Sequence, residues 1–178
     1  TTDTTGKKLS NSGEYFDFTV KSSIAGNTDI NYEIAVKEEN GNTFSGKNVK
    51  FYLTKVNSDG SEEEAMPPKT YSEDPTSNVY TGRPSDMMSL FVGNLNQQGD
   101  TEITYRLRLW VDESYNPQND NGGLIYKVKV NVYGQTSDTV AEVEDTYCKD
   151  NGFNKLSDCM LVMNNHEASA EAAETAIV

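Results

Sequence analysis

The chain of 178 residues carries 28 Asp plus Glu against 15 Lys plus Arg, a formal net charge of −13. Phosphate backbones and anionic lipid surfaces repel such a polyanion, so neither nucleic acid nor a membrane surface is expected as a partner. No apolar run reaches the ~18–20 residues that span a bilayer, and a hydrophobic share of 35% with mean hydropathy −0.69 predicts a thin core within one domain plus an appendix.

Residues 1–14 are polar, rich in Thr, Ser, Asn and Gly, and read as a flexible arm or one that orders only against something else. They lack the apolar core of an export signal, so any such signal is expected to precede residue 1. Phe16, Phe18 and Val20 then alternate in YFDFTV, which begins at Tyr15, predicting a first strand. After a turn at Gly26-Asn27, Ile30, Tyr32, Ile34 and Val36 alternate with Asn31, Glu33, Ala35 and Lys37. These two strands are expected to pair antiparallel. The Asn40-Gly41 dipeptide adopts positive φ readily and predicts a tight turn, leading to Val49, Phe51, Leu53 and Val56 on a third strand.

Residues 57–78 hold Gly60, the run Glu62, Glu63 and Glu64, and Pro67, Pro68 and Pro75. Proline cannot donate to a sheet ladder, so this stretch is expected to be a long exposed excursion with a short edge strand. Residues 87–92, MMSLFV, resume the core. Residues 101–112, TEITYRLRLWVD, form the clearest central strand: Ile103, Tyr105, Leu107, Leu109 and Val111 make one apolar row, with Thr104, Arg106, Arg108 and Trp110 on the other face. A polar loop at 112–123 is expected to close a hairpin with residues 124–133, where Leu124, Tyr126, Val128, Val130 and Val132 alternate with Ile125, Lys127, Lys129 and Asn131. Paired that way, Arg106, Arg108, Lys127 and Lys129 share one outer face. Such a cluster is unfavourable unless acidic residues of a neighbouring strand or subunit approach it. With Trp110, this face is the expected dock for a neighbouring subunit.

Beyond Gly134 the period changes. Asp138 caps a helical composition, Leu156, Cys159, Met160 and Met163 recur at helical spacing, and EASAEAAETAIV at 167–178 favours helix by propensity. Residues 137–178 are therefore expected to be a helical tail or the start of a further module, after an antiparallel β-sandwich over residues 15–136.

No motif marks an active site. His166-Glu167 lacks the second histidine of HExxH, since residue 170 is Ala and the chain has one His, which rules out that zinc site. There is no GxSxG elbow and no glycine-rich phosphate loop. Asp112, Glu113 and Asp120, with Asn116, Asn119 and Asn121, gather the oxygen donors calcium prefers, but their spacing departs from the EF-hand pattern, and a polar turn without metal is the simpler reading. Cys148 and Cys159 do not form a zinc pattern; in an oxidising compartment they could close a loop contributing about 2–3 kcal/mol, and spacing alone leaves their pairing open. Tyr52, Trp110 and Tyr133 suit sheet-edge packing, a subunit interface or a sugar-stacking platform.

Read together, FDFTV, INYEIAV, VKFYLTK, TYRLRLWVDESYN and YKVKVNVYG resemble exported β-sandwich surface proteins of Gram-positive bacteria, the neighbourhood of TasA and camelysin. The resemblance covers roughly residues 15–134 and rests on strand pattern. It implies a secreted jelly-roll or immunoglobulin-like sandwich at the cell surface, a subunit that polymerises with copies of itself or with other surface proteins, and the absence of a catalytic set makes a non-catalytic role the expectation. In such fibres an N-terminal segment can complete a neighbour's sheet, a role that would fall here on the arm followed by Tyr15, Phe16, Phe18 and Val20. The alternative is a monomeric adhesion module reading a glycan or protein through the loops at 57–78 and 112–123. No cofactor is expected apart from the calcium considered above.

Overall fold

The computed structural model describes residues 1–26, 28–77, 79–80, 82–117 and 122–136, together with the backbone of 170–171 and 176–177. The protein is mainly β. Its strands are β1 (Phe16–Ile24), β2 (Ile30–Glu38), β3 (Val49–Val56), β4 (Glu62–Thr70), β5 (Met88–Leu95), β6 (Gly99–Val111), β7 (Val128–Thr136), β8 (Ala170–Glu171) and β9 (Ala176–Ile177). They form two antiparallel sheets of order β4-β3-β6-β1-β8 and β5-β2-β7-β9.

The alternating rows fold inward as a period of two requires. Phe18 and Val20 of β1, Phe51 and Leu53 of β3, and Tyr105 and Leu107 of β6 join Tyr32, Ile34 and Val36 of β2, Met88 and Leu90 of β5, and Val128 and Val130 of β7 in one buried cluster. Across its middle the hydroxyls of Tyr32 and Tyr105 hydrogen-bond each other. Burial raises both phenol pKa values above the ordinary range, so the pair is neutral at physiological pH.

Two expected pairings are corrected. β1 does not pair with β2: it runs along β6 from Phe16↔Leu107 to Ile24↔Gly99, while β2 lies between β5 and β7 in the other sheet. Nor do β6 and β7 form a hairpin, because β6 is flanked by β1 and β3. In each case the chain crosses between sheets. The physical reason is shared: crossing sets two successive apolar rows face to face, whereas a hairpin sets them side by side and leaves both needing a cover.

The excursion at 57–78 contains more strand than expected. A turn in which Asn57 N–H donates to Ser61 O and Gly60 N–H to Asn57 O joins β3 to the nine residues of β4. Pro67 and Pro68 lie within it and its register on β3 shifts twice. Prolines are tolerated there because β4 is an edge strand.

β2 is buried on both faces, Glu33 included. On its outer side Ser77, Arg83 and Asp86 of the β4–β5 connection reach it, with Arg83 meeting Glu33, Nε to Oε1 at 3.0 Å, side chains 0% and 2% exposed. The remaining Arg83 nitrogens donate to the carbonyls of Asp74 (2.6 Å), Thr76 (3.0 Å), Pro84 (3.2 Å) and Met87 (3.4 Å), and the Ser77 hydroxyl donates to Glu33. One guanidinium thus organises a long loop that has few aliphatic side chains of its own.

In the tail, residues 170–171 and 176–177 are extended along the edges of β1 and β7, where propensity predicts helix. Propensity differs by only a fraction of a kcal/mol between most residues, and a strand edge supplies backbone partners that outweigh it. Residues 137–169, with the other predicted helices, Cys148, Cys159 and His166, lie outside the described residues.

Arg83→Ala should destabilise the fold by about 3–5 kcal/mol in urea denaturation, because it strands a buried carboxylate. The double variant Glu33→Leu with Arg83→Met should recover most of that loss; a double variant as unstable as the single would show that the loop needs the charges themselves.

Candidate functional site

The outer face of the first sheet concentrates charge. Arg106 and Arg108 project from β6 beside β3, β1 and β4, and Glu62 of the edge strand serves both: Arg106 Nη1 donates to Oε1 at 2.9 Å, while Arg108 Nη2 (2.6 Å) and the Thr54 hydroxyl (2.7 Å) donate to Oε2. Burial opposes ionisation of Glu62, yet the bonds from Thr54 and the two arginines outweigh it and hold the carboxyl below its usual pKa. Asp17 sits opposite Arg106 in the β1–β6 register and accepts two parallel bonds from Nε and Nη2, each 2.8 Å. The Tyr15 ring stacks 4.0 Å from the same guanidinium. The acidic complement that the arginines require therefore comes from neighbouring strands of the same chain.

Lys127 and Lys129 are elsewhere, a correction that follows from β7 belonging to the other sheet. Lys127 contributes its backbone, donating to Asn42 Oδ1 and accepting from Glu39 N and Asn42 Nδ2. Lys129 lines a polar cleft of about 750 Å³ with Lys37, Glu38, Glu39, Glu73 and Asp86.

The N-terminal arm lies on the arginine face. Its first residues form a four-residue helix, α1 (Asp3–Gly6), capped by the Thr2 hydroxyl, followed by a 3-10 turn at Leu9–Ser12 and Gly13 in the left-handed region. Lys50 Nζ bonds Asp3 (2.7 Å) and Asp112 (3.1 Å), Lys7 bonds Glu64 (2.9 Å), and the Ser10 hydroxyl accepts from Arg108 (2.7 Å). Gly6 rests on Trp110 so closely that a Cβ would meet the indole at 2.3 Å. Covered this way, Arg108 is 2% exposed and Trp110 6%, and Tyr52, buried beneath Lys7, packs edge-on against Trp110. The face expected to receive a neighbour is occupied by the chain's own arm. The exposed ion pair Lys7–Glu64 contributes at most about 1 kcal/mol, so the contact of Gly6 with the indole is the feature that fits the arm to its seat.

The other expected interface residues divide. Phe18 and Val20 are core residues of β1, Phe16 is partly buried against the core, and Tyr15 stays exposed. β1 is an integral strand paired along its whole length with β6, so only residues before it are separable from the fold. Tyr133 stacks on Tyr80 and its hydroxyl donates to Met87 Sδ.

Of the calcium candidates, Asp112 is engaged by protein groups. Bonds from Ser114 and from Lys50 lower its pKa to about 2, and its Oδ1 accepts the Ser114 N–H at 2.7 Å. Glu113 follows it in the loop, and Asp120 lies outside the described residues. Among the described residues no three His, Cys, Asp or Glu side chains group as metal ligands. Next to this loop, Phe44, Trp110, Tyr115 and Tyr126 with Val49, Leu109, Val111 and Leu124 line an apolar groove of about 430 Å³.

The sheet edges differ in kind. β4 presents Glu62, Glu63, Glu64, Pro67 and Pro68, all devices that blunt an edge. Near it, β5 has its Ser89 N–H taken by the Asp74 carboxylate at 2.8 Å. On the opposite side β1 and β7 run without proline, and among the described residues each carries only a two-residue tail strand, β8 on β1 and β9 on β7, with β8 also near β7.

Sequence reasoning found Arg106, Arg108 and Trp110 but missed Glu62, Asp17 and the Arg83–Glu33 pair. Asp17 had a signal, since it faces outward on a strand whose neighbour carries the arginines; Arg83 had none in its local pattern. Comparison with protein-family models, curated proteins and solved structures finds no match for this chain.

Trp110 is the only tryptophan of the chain, which makes arm docking measurable. Gly6→Val should lift the arm and shift tryptophan emission to the red while the main thermal transition is retained; unchanged emission would mean that the arm does not shield the indole.

Proposed function

We propose that the chain is a non-catalytic structural subunit, exported and assembling into a fibre or layer at a bacterial surface, with neighbours joined by strand addition at the β1/β7 side. The observation that carries this reading is the asymmetry of the edges: one side is blocked by prolines, glutamates and the Asp74 cap, while among the described residues the other carries only the two-residue β8 and β9, which cover a small part of β1 and β7. A sheet edge is a row of unpaired N–H and C=O groups that accepts an extended segment with little side-chain specificity. The two short tail strands that add to β1 and β7 lend support, as does the strand phrasing shared with TasA and camelysin-like surface proteins.

The finer fold is a jelly roll on this reading. An immunoglobulin-like domain keeps several successive strands within one sheet, whereas here only β3 to β4 does so and the other links among β1 to β7 cross between sheets. Export and a polymeric surface role suit a chain whose acidity keeps the free subunit soluble.

The test places prolines on the two edges. Purified chain should form filaments or sheets in electron micrographs, and Ser23→Pro with Gln135→Pro should abolish them while the monomer still melts cooperatively. Assemblies that persist in a folded double-proline variant would defeat the reading.

A second reading, a monomeric adhesion module, is favoured by the aromatic groove of Phe44, Trp110, Tyr115 and Tyr126. Aromatic faces stack on the apolar faces of sugars, and the groove volume is within the range of ligand sites. It predicts glycan-array binding that Tyr115→Ala reduces by about tenfold, the loss of roughly one stacking contact; an array without signal would remove it.

A further inference from the structure

The turn leaving β2 contains the Asn40-Gly41 pair, and its surroundings set it apart from the similar sequences nearby. Both residues are exposed. Gly41 has φ +89 with nothing within 4 Å of a built Cβ, and neither the Asn40 amide nor the Gly41 N–H makes a hydrogen bond among the described residues. Two residues on, Asn42 is held at both ends: its Nδ2 donates to Lys127 O (2.9 Å) and its Oδ1 accepts from Lys127 N (2.7 Å), while the next N–H, of Thr43, donates to Ile125 O (2.9 Å). The Asp59-Gly60 turn is locked too. Asp59 Oδ1 accepts from the Ser61 N–H and hydroxyl at 2.9 and 2.6 Å, and the Gly60 N–H is spent on Asn57 O at 2.9 Å.

We propose that Asn40 is a self-modification site, at which the free nitrogen of Gly41 attacks the side-chain amide carbon and converts residue 40 to an aspartyl or isoaspartyl acid. The nucleophile is the Gly41 backbone nitrogen and the electrophile is Asn40 Cγ. A new N–Cγ bond forms, the bond from Cγ to Nδ2 breaks, and the Gly41 proton leaves with the amide as ammonia, closing a five-membered imide. Water then opens the ring at either carbonyl. The sum is one water taken up and one ammonia released, with nothing oxidised or reduced and no partner beyond solvent. Glycine favours the step twice, because it lacks a Cβ to obstruct the attack and because its backbone is free to rotate into the ring-closing geometry.

The consequence is local. Asn40 lines the polar cleft with Lys37, Glu38, Glu39, Glu73, Asp86 and Lys129, so the reaction adds one negative charge to a site that already gathers four carboxylates around two lysines. Opening at the main-chain carbonyl also inserts a methylene into the backbone just before the residues pinned to Lys127 and Ile125. The inference is independent of the assembly reading, since it concerns the subunit alone.

The test is peptide mapping by mass spectrometry after ageing the folded full chain in mildly alkaline buffer, which reads each residue separately. Residue 40 should convert at least about tenfold faster than residue 42, the ratio expected when two hydrogen bonds must open before Asn42 reacts. A parallel sample unfolded in urea should narrow that ratio as Asn42 is freed from Lys127, with Asn40 still the faster because glycine follows it. A folded chain that keeps the Asn40 amide while the unfolded chain loses it would overturn the proposal, as would an Asn42 that keeps pace with Asn40.

Discussion

The first sheet depends on how two arginines in its central strand are neutralised. Arg106 and Arg108 stand on β6 between β3 and β1, where cations left unpaired would repel each other and Arg108 would be buried with its charge uncompensated. Glu62 and Asp17 answer them from β4 and β1. Because Glu62 lies in the edge strand, the β3–β4 hairpin must keep its register despite two shifts. Because Arg108 also donates to Ser10, the same cluster reaches the arm.

The second sheet solves its outer face differently. β2 has Glu33 and Ala35 on the side away from the core, and both are fully covered. Their cover is a loop whose backbone carbonyls converge on one guanidinium, with Tyr80 and Tyr133 stacked beside it. Such an arrangement contributes geometry more than net stability, since desolvating both charges costs about as much as their attraction returns. It holds a proline-containing segment in one conformation, which also leaves the Asp74 carboxylate capping β5. The fold thereby closes one side with charge and proline, while on the other side, among the described residues, β1 and β7 carry only the two-residue β8 and β9.

Much of this was legible from periodicity alone. The apolar rows of β1, β2, β3, β6 and β7 are the inward rows except at their ends, where Val111 is exposed and Leu124 is exposed ahead of β7, and the Asn40-Gly41 turn falls between strands. Residues 57–78 illustrate the limit: three glutamates and two adjacent prolines argue against a strand by composition, yet an edge position suspends both objections, because the outward N–H groups need no partner. Trp110 illustrates another. Alternation assigns it an outer face, but burial on that face is decided by residues about a hundred positions earlier in the chain, which rest a glycine on the indole.

The amino-acid sequence by itself determined the mainly β character, most of the inward row of β1, β2, β3, β6 and β7, and the need of Arg106 and Arg108 for acidic partners, because alternation, turn chemistry and charge are local properties of the chain. Only the tertiary structure decided that successive strands from β1 to β7, apart from β3 and β4, lie in opposite sheets, that Glu62, Asp17 and Ser10 serve the arginines, and that Lys127 and Lys129 do not share their face. Those outcomes depend on which strand edge meets which across long stretches of sequence, and a period of two carries no information about partners.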